Sequence, residues 1–429
     1  MLNRPPRESS WVSWLYVVLC AAAIFATVPF GRRITEYIDL FVDDSVFTII
    51  VVGVFAVLAF YVVRFLIRRS NSSAGSYFWL GVVAVVFCVY AYNLRDNAVE
   101  TLHFFQYGLL GLLIYRALCH RVRDSSIYFI ALCLGFLFGA LDEAIQWLTP
   151  QRVWDMRDIL LNSVAVGLVQ IAIGLGLKPA IIQPGFGVRG MVLLCRTLAL
   201  AVFIFGMCLL NTPAVIDLYI DKIPGAAHVR EKSSQMAEYG YLYRDPEIGI
   251  FRSRFSRDEL KNQDRIQAER TAKVLDQYPE VKLYPDFFKR YTVINERFIH
   301  EAGVHLFRRE KYLNRFLDYG DRVSTSGRYR QSIRVAWRET RILEKYFPKT
   351  ISLTRYGISP AHRAKLNAAH NANEAYESKV SKSLITIVTY KQMAWGIAGT
   401  IIILLGGSFL YSGRRNDGVS GDKGNLSND

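Results

Sequence analysis

The order of apolar and polar positions divides the chain into two kinds of sequence. Long apolar runs fill residues 1–211 and return at 391–429, whereas 212–390 mixes apolar and charged positions as a water-soluble protein does. A helix needs about 20 mostly apolar residues to cross a bilayer core of about 30 Å, because only helices and closed barrels satisfy every backbone group in lipid. Eight segments approach that pattern: 11–30, 46–67, 77–93, 103–119, 126–148, 159–177, 190–211 and 392–411. The first follows Arg4 and Arg7 as a signal peptide would, but it is long and further apolar segments follow at once. Cys20 comes after Val17-Val18-Leu19, which lacks the small residue of a bacterial lipoprotein cleavage site, so this segment reads as a retained helix.

The inserted polar stretch predicts helices. Ser256-Arg-Asp-Glu259 forms a capping-box pattern, and the helix it opens should stop before Pro279. Pro285 begins a second helical stretch, with apolar Phe288, Tyr291, Ile294 and Phe298, that ends near Gly320. A third runs over 327–347 to Pro348. Ser359-Pro360 then supplies an N-cap with Pro in the first turn, opening a polar helix that leads towards the last span. Ser, Asn and Gly crowd 412–429, which reads as a disordered tail. The fold class expected is all-α: about eight membrane helices, in domains 1–94, 95–178, 190–211 and 392–411, with a mainly helical domain at 212–390.

Composition sharpens this picture. Over 429 residues the chain is 52% hydrophobic and 21% charged with a net charge of +15, which excludes a simple soluble domain. With the N-terminus inside, the inner short loops and tails hold thirteen Lys and Arg against five in the outer ones. That bias predicts cytoplasmic termini and an extracytoplasmic 212–390. The exported stretch has 32 Lys+Arg and 22 Asp+Glu, or +10, but nucleic acid is not an expected partner outside the cell. All six cysteines lie in or at the ends of apolar runs, so no disulfide framework is read.

Ionisable groups inside spans are costly and therefore informative. The fourth span carries His103 and Tyr107 one turn apart, and the fifth ends in Asp142-Glu143-Ala-Ile-Gln146-Trp147. A short loop with Pro150, Arg152, Asp155 and Arg157 leads to Asp158 and, one turn deeper, Asn162. On the expected topology all of these groups lie at the outer boundary, where three helices can gather His103, Tyr107, Glu143, Gln146, Arg152, Asp158 and Asn162 in one polar pocket. The alternative is that Arg152 and Arg157 pair with Glu143, Asp155 or Asp158 to neutralise helix ends, and spacing does not choose between them.

At these residues the chain resembles the VanZ-like family of bacterial membrane proteins. The resemblance rests on His103 with Tyr107, Glu143 with Gln146, Pro150 with Arg152, and Asp158 with Asn162, over roughly residues 95–178. Two positions depart from the family pattern: Glu100 stands where many members have a basic residue, and Ala165 where many have Gly. The first alters the local charge balance, and the second permits less close helix packing. The resemblance implies a multi-pass protein of the bacterial plasma (inner) membrane with an outward polar site. It implies no reaction.

Two further patterns bear on chemistry. Arg330, Arg334, Arg338, Arg341 and Lys345 recur at helical spacing, which suits either contact with an anionic lipid or envelope polymer or an ordinary solvated face. His300-Glu301-Ala-Gly-Val-His305 approaches the His-Glu-x-x-His zinc motif, but its two His are five apart. One straight helix then turns them about 140° apart, so no metal and no cofactor is expected. The lipid bilayer is the expected partner, and the sequence leaves the oligomeric state open.

Three functions compete at this stage: binding of an amphiphilic anionic or glycosylated envelope ligand, intramembrane hydrolysis or transfer on a lipid-linked precursor, and transport. Binding leads because no Ser or Cys nucleophile accompanies the polar residues. Transport is a minor alternative because internal repeats and paired helix breaks are absent from the sequence.

Overall fold

A computed structural model describes residues 6–27, 53, 64, 73–94, 98–150, 152, 154–318, 327–371 and 374–420. The span expected at 46–67 lies, but for Gly53 and Arg64, outside them. The described chain is mostly α-helical and separates into two compact units, Met1–Gly206 with Gly396–Asp429, and Met207–Trp395.

In the first unit the helices are α1 (Ser10–Thr27), α2 (Ala74–Asn93), α3 (Ala98–Leu118), α4 (Ser126–Leu148), α5 (Met156–Ile171, continued by a π-helical turn over Ala172–Leu177) and α6 (Val188–Leu210). A last helix, Tyr390–Ser420, crosses the unit boundary and runs into residues that composition assigns to the tail. Six of these seven are long and apolar enough to span a membrane. The exception is α3, whose Thr101, His103, Gln106 and Arg116 dilute its apolar character. It sits centrally instead, with Phe104, Tyr107, Leu110, Ile114 and Tyr115 buried among α1, α4 and α5.

Small residues let these helices approach, because in lipid it is close packing rather than water exclusion that holds helices together. A Cβ on Gly135 of α4 would lie 2.6 Å from Val166 of α5, and one on Gly111 of α3 would lie 3.2 Å from the same residue. Gln170 of α5 also donates to the Gly111 carbonyl at 3.0 Å, locking α3 to α5.

The second unit contains α7 (Pro213–Tyr219), β1 (Glu238–Tyr239), β2 (Tyr241–Asp245), β3 (Gly249–Ser253), α8 (Arg257–Leu275), α9 (Tyr284–Arg290), α10 (Arg297–Asp318), α11 (Gly327–Tyr346), α12 (Pro348–Leu353), α13 (Pro360–Ala369) and β4 (Leu384–Ile385); the membrane helix Tyr390–Ser420 is α14. Strands β2 and β3 form an antiparallel hairpin with Tyr243 opposite Phe251, and β1 pairs in parallel with β4. The hairpin turns because Asp245 accepts from the Glu247 and Ile248 amides and Gly249 takes φ +107°.

The capping box at Ser256 and Glu259 forms, and α8 ends before Pro279. The helical stretch expected from Pro285 to Gly320 is instead two helices. Asn295 interrupts it by accepting from the Thr292 amide and donating to the Arg290 carbonyl, which ends α9 and sets up the start of α10. The polar helix opened by Ser359 ends at Ala369 rather than continuing to the last span. The core gathers Phe251, Phe287, Phe298, Leu306, Phe307 and Phe347 from the hairpin and from α9, α10 and the α11–α12 junction.

Candidate functional site

The polar residues of α3, α4 and α5 are brought together at one end of the bundle. His103, in the second turn of α3, places Nδ1 3.7 Å from Oδ2 of Asp142 in α4. Asp142 is fully buried, while the His103 side chain is 12% exposed, so the imidazole lies between the carboxylate and open space. Tyr107, one turn beyond His103, is buried with its hydroxyl 3.3 Å from the Phe138 carbonyl, and it also reaches the Asp142 carboxylate.

Glu143 and Gln146 form the next link. Gln146 donates through Nε2 to Glu143 Oε1 at 2.7 Å and, more distantly, to Asp142 Oδ2 at 3.5 Å. The other Glu143 oxygen accepts the Asp155 amide at 3.0 Å. Asp155 is itself the N-cap of α5, accepting from the Arg157 amide at 2.8 Å. A carboxylate from the end of one helix therefore sits at the positive start of the next.

Arg152 closes the chain of contacts by donating through Nη2 to Gln146 Oε1. Asp158 lies near enough to Asp142 and Glu143 to feel their charges. Asn162 is buried against Gly139 at the α4–α5 contact and makes no hydrogen bond to the other pocket residues among those described. Between the two earlier alternatives, Glu143 spends its oxygens on an amide side chain and a backbone N–H rather than on a guanidinium.

Asp142 belongs to this cluster and was absent from the residues singled out by sequence. Its Oδ1 is buried with no hydrogen-bond partner among the described residues. The signal was in the spacing, since Asp142 stands four before Gln146 and shares its helix face.

The basic residues of α11 are arranged differently. Arg334 pairs with Glu374 at 2.7 Å, Arg341 with Glu344 at 3.0 Å and with Glu247 at 2.6 Å, and Lys345 with Asp245 at 2.6 Å. Arg338 is buried and donates to the carbonyls of Glu247 and Glu374. Burial pushes the Asp245 carboxyl up, but Lys345 and the Tyr346 hydroxyl outweigh it and hold the group at about 2. Arg330 is exposed. Most of the stripe is thus engaged by the unit's own acids and carbonyls.

The two His of the near-motif also go separate ways. His305 donates through Nδ1 to Glu339 Oε2 at 2.7 Å, and the other Glu339 oxygen accepts from Tyr376 and Ser378 at 2.6 Å each. Burial raises the Glu339 carboxyl, yet His305 and the two hydroxyls leave it below the usual range. His300 packs its ring on Phe288, and burial together with the Arg254 charge lowers it to about 3. Glu301 accepts the Arg254 amide at 3.0 Å. Gly303 marks close packing rather than a bulge, since a Cβ there would lie 2.4 Å from the Phe287 ring. No group of three or more metal-ligating residues able to hold an ion occurs among the described residues.

Comparison with known families gives one match. Residues 13–175, under half of the chain, are similar to the VanZ/LLP1 family, whose model they match. The match begins in α1, further towards the N-terminus than the motifs from residue 95 onwards. Its reach agrees with the packing, because α1 lies along α3 and buries Val17, Ala21 and Ile24 in the shared core. No curated protein and no solved structure matches the chain.

Proposed function

Taking the VanZ-like membrane region as premise, we propose that this multi-pass protein binds an amphiphilic, anionic or glycosylated envelope ligand at the outer leaflet. The observation that carries the reading is the junction of His103, Asp142, Glu143, Gln146 and Arg152, in which the buried Asp142 Oδ1 makes no hydrogen bond among the described residues. Buried polar atoms are ordinarily satisfied, so a free acceptor beside an accessible imidazole fits a ligand hydroxyl or amide. Arg152, half-buried at the rim, suits a phosphate or carboxylate on the same ligand.

On this reading the protein resides in the bacterial plasma membrane with both termini cytoplasmic and residues 212–390 outside. The charge bias of the short loops supports that orientation. A Lys261→Cys protein should react with a membrane-impermeant maleimide on intact spheroplasts. Protection there, with labelling only after lysis, would reverse the topology.

The ligand test uses a Glu143→Gln, Arg152→Ala double variant that still elutes as a monodisperse protein. It should lose co-purifying envelope lipid and change sensitivity to envelope-directed antibiotics. Retention of both properties at the parent level would sink the proposal.

One contact favours a second reading. A buried carboxylate orienting a partly exposed imidazole is the arrangement of a general base, so His103 and Asp142 suit proton transfer on a lipid-linked precursor. On this reading Asp142 is the orienting group. Turnover of a labelled lipid precursor by the purified protein, abolished in His103→Ala with binding retained, would establish this hydrolase or transferase reading over simple binding.

A further inference from the structure

Arg196 is a charged residue inside an apolar span. It lies six residues, about 9 Å, beyond Gly190 in α6, a helix with no acidic residue. Its side chain is exposed at the surface of the bundle. Among the described residues it makes one hydrogen bond, from Nε to the Ser408 hydroxyl oxygen at 3.1 Å, and no ion pair.

The surroundings of this bond are built. Gly206 of α6 faces Ile397 of α14, and Arg196 faces Ser408, so the two helices run antiparallel with the start of α6 beside the end of the α14 span. Ser408 is 3% exposed, and Gly407 beside it lies 3.9 Å from Cys195 at the position a Cβ would take. Because Ser408 accepts from Nε, its own proton can be donated, and both terminal guanidinium nitrogens make no hydrogen bond among the described residues. Side chains on a helix lean towards its N-terminus, which carries the guanidinium back towards the nearer membrane face.

A guanidinium exposed to hydrocarbon is unfavourable unless an anion reaches it, and at this depth the groups that can do so are phosphates drawn down from the headgroup layer. We infer that Arg196 and Ser408 form a binding site for the phosphate of an anionic phospholipid, between α6 and α14 at the face where α6 begins. The planar fork suits two phosphate oxygens and the serine hydroxyl a third contact. This site is separate from the α3–α5 pocket and stands independently of the ligand proposed there.

The test uses the full chain reconstituted in vesicles of phosphatidylglycerol with phosphatidylethanolamine, then extracted in mild detergent and weighed by native mass spectrometry. The parent should retain phosphatidylglycerol. Arg196→Leu, which places an apolar residue in lipid, should retain it at least about tenfold more weakly, and Arg196→Lys should recover part of the loss. Arg196→Leu should lower retention by the same factor in the Glu143→Gln, Arg152→Ala background as in the parent, which separates this site from the pocket. Equal retention by Arg196→Leu and the parent overturns the inference. A change of oligomeric state with unchanged lipid also overturns it, by assigning Arg196 to a protein contact. Should Arg196→Leu fail to fold, titration of the parent decides. Phosphatidylglycerol must raise its melting temperature more than phosphatidylcholine does, and equal shifts refute the site.

Discussion

The α3–α5 pocket and the α11 face both announce themselves in the sequence as polar residues at helical spacing, yet the structure treats them in opposite ways. The five basic residues of α11 come from one helix, and neighbouring acids and carbonyls engage four of them. The pocket residues come from three helices and a loop, and they bond chiefly to one another, although Asp142 Oδ1, like Arg334 Nε on α11, is buried with no hydrogen-bond partner among the described residues. Charge on one helix face thus says little about availability. Polar groups that converge from separate segments say considerably more, because packing rather than helical spacing brings them together.

The comparison can be broken where its effects are largest. Glu339 is the hub of the second unit, so Glu339→Ala should destabilise it by about 3–5 kcal/mol, since it strands His305, Tyr376 and Ser378. Thermal unfolding followed by limited proteolysis would measure this. Arg338→Ala should cost about 2–3 kcal/mol through the two abandoned carbonyls. A cost near zero would return Arg338 to the class of solvated surface charges.

The acid response of this unit has a definite sign. His300 is held at about 3 when folded, against about 6.5 for a free imidazole. The unfolded chain therefore binds the extra proton, and stability is full above about pH 6.5 and falls by up to about 1.4 kcal/mol per pH unit towards the folded value. His300→Gln should flatten the melting profile between pH 6.5 and about 4, and an unchanged slope would remove His300 as its source. Asp245, at about 2, adds stability that is present above about pH 4 and is lost as pH falls through the folded value.

The smallest expected changes in stability sharpen the contrast. Asp142→Asn keeps the shape of the pocket and should shift stability by less than about 1 kcal/mol while lowering ligand retention. A large loss of stability would make Asp142 a structural residue. Arg330→Ala, at an exposed position, should change stability by no more than about 0.5 kcal/mol, as chemical denaturation would show.

Much of this molecule was legible before any coordinates. Hydropathy placed the membrane helices because lipid imposes a length and composition on each one separately. The family pattern singled out His103, Glu143 and Gln146, and local chemistry fixed the Ser256 capping box. What sequence misjudged were properties set by neighbours distant along the chain. Asp142 was passed over beside Glu143, because its proximity to His103 depends on how α3 meets α4. Arg338 looked exposed, because the carbonyls of Glu247 and Glu374 that enclose it are 91 and 36 residues away in sequence. The break at Asn295 was hidden by an apolar spacing that continues across it.

The sequence by itself determined that the chain carries several helices apolar enough to span a membrane and that a basic, mainly helical stretch precedes the last of them. Each of these follows from local pattern, because solvation and helix capping are decided within a few turns. Tertiary structure alone decided which charges are spent and which remain. Whether Arg334 meets Glu374, whether Asp142 meets a donor, and whether Arg196 meets anything but Ser408 depends on packing between segments, since Coulomb and hydrogen-bond energies act over a few ångströms in space rather than over residues in sequence.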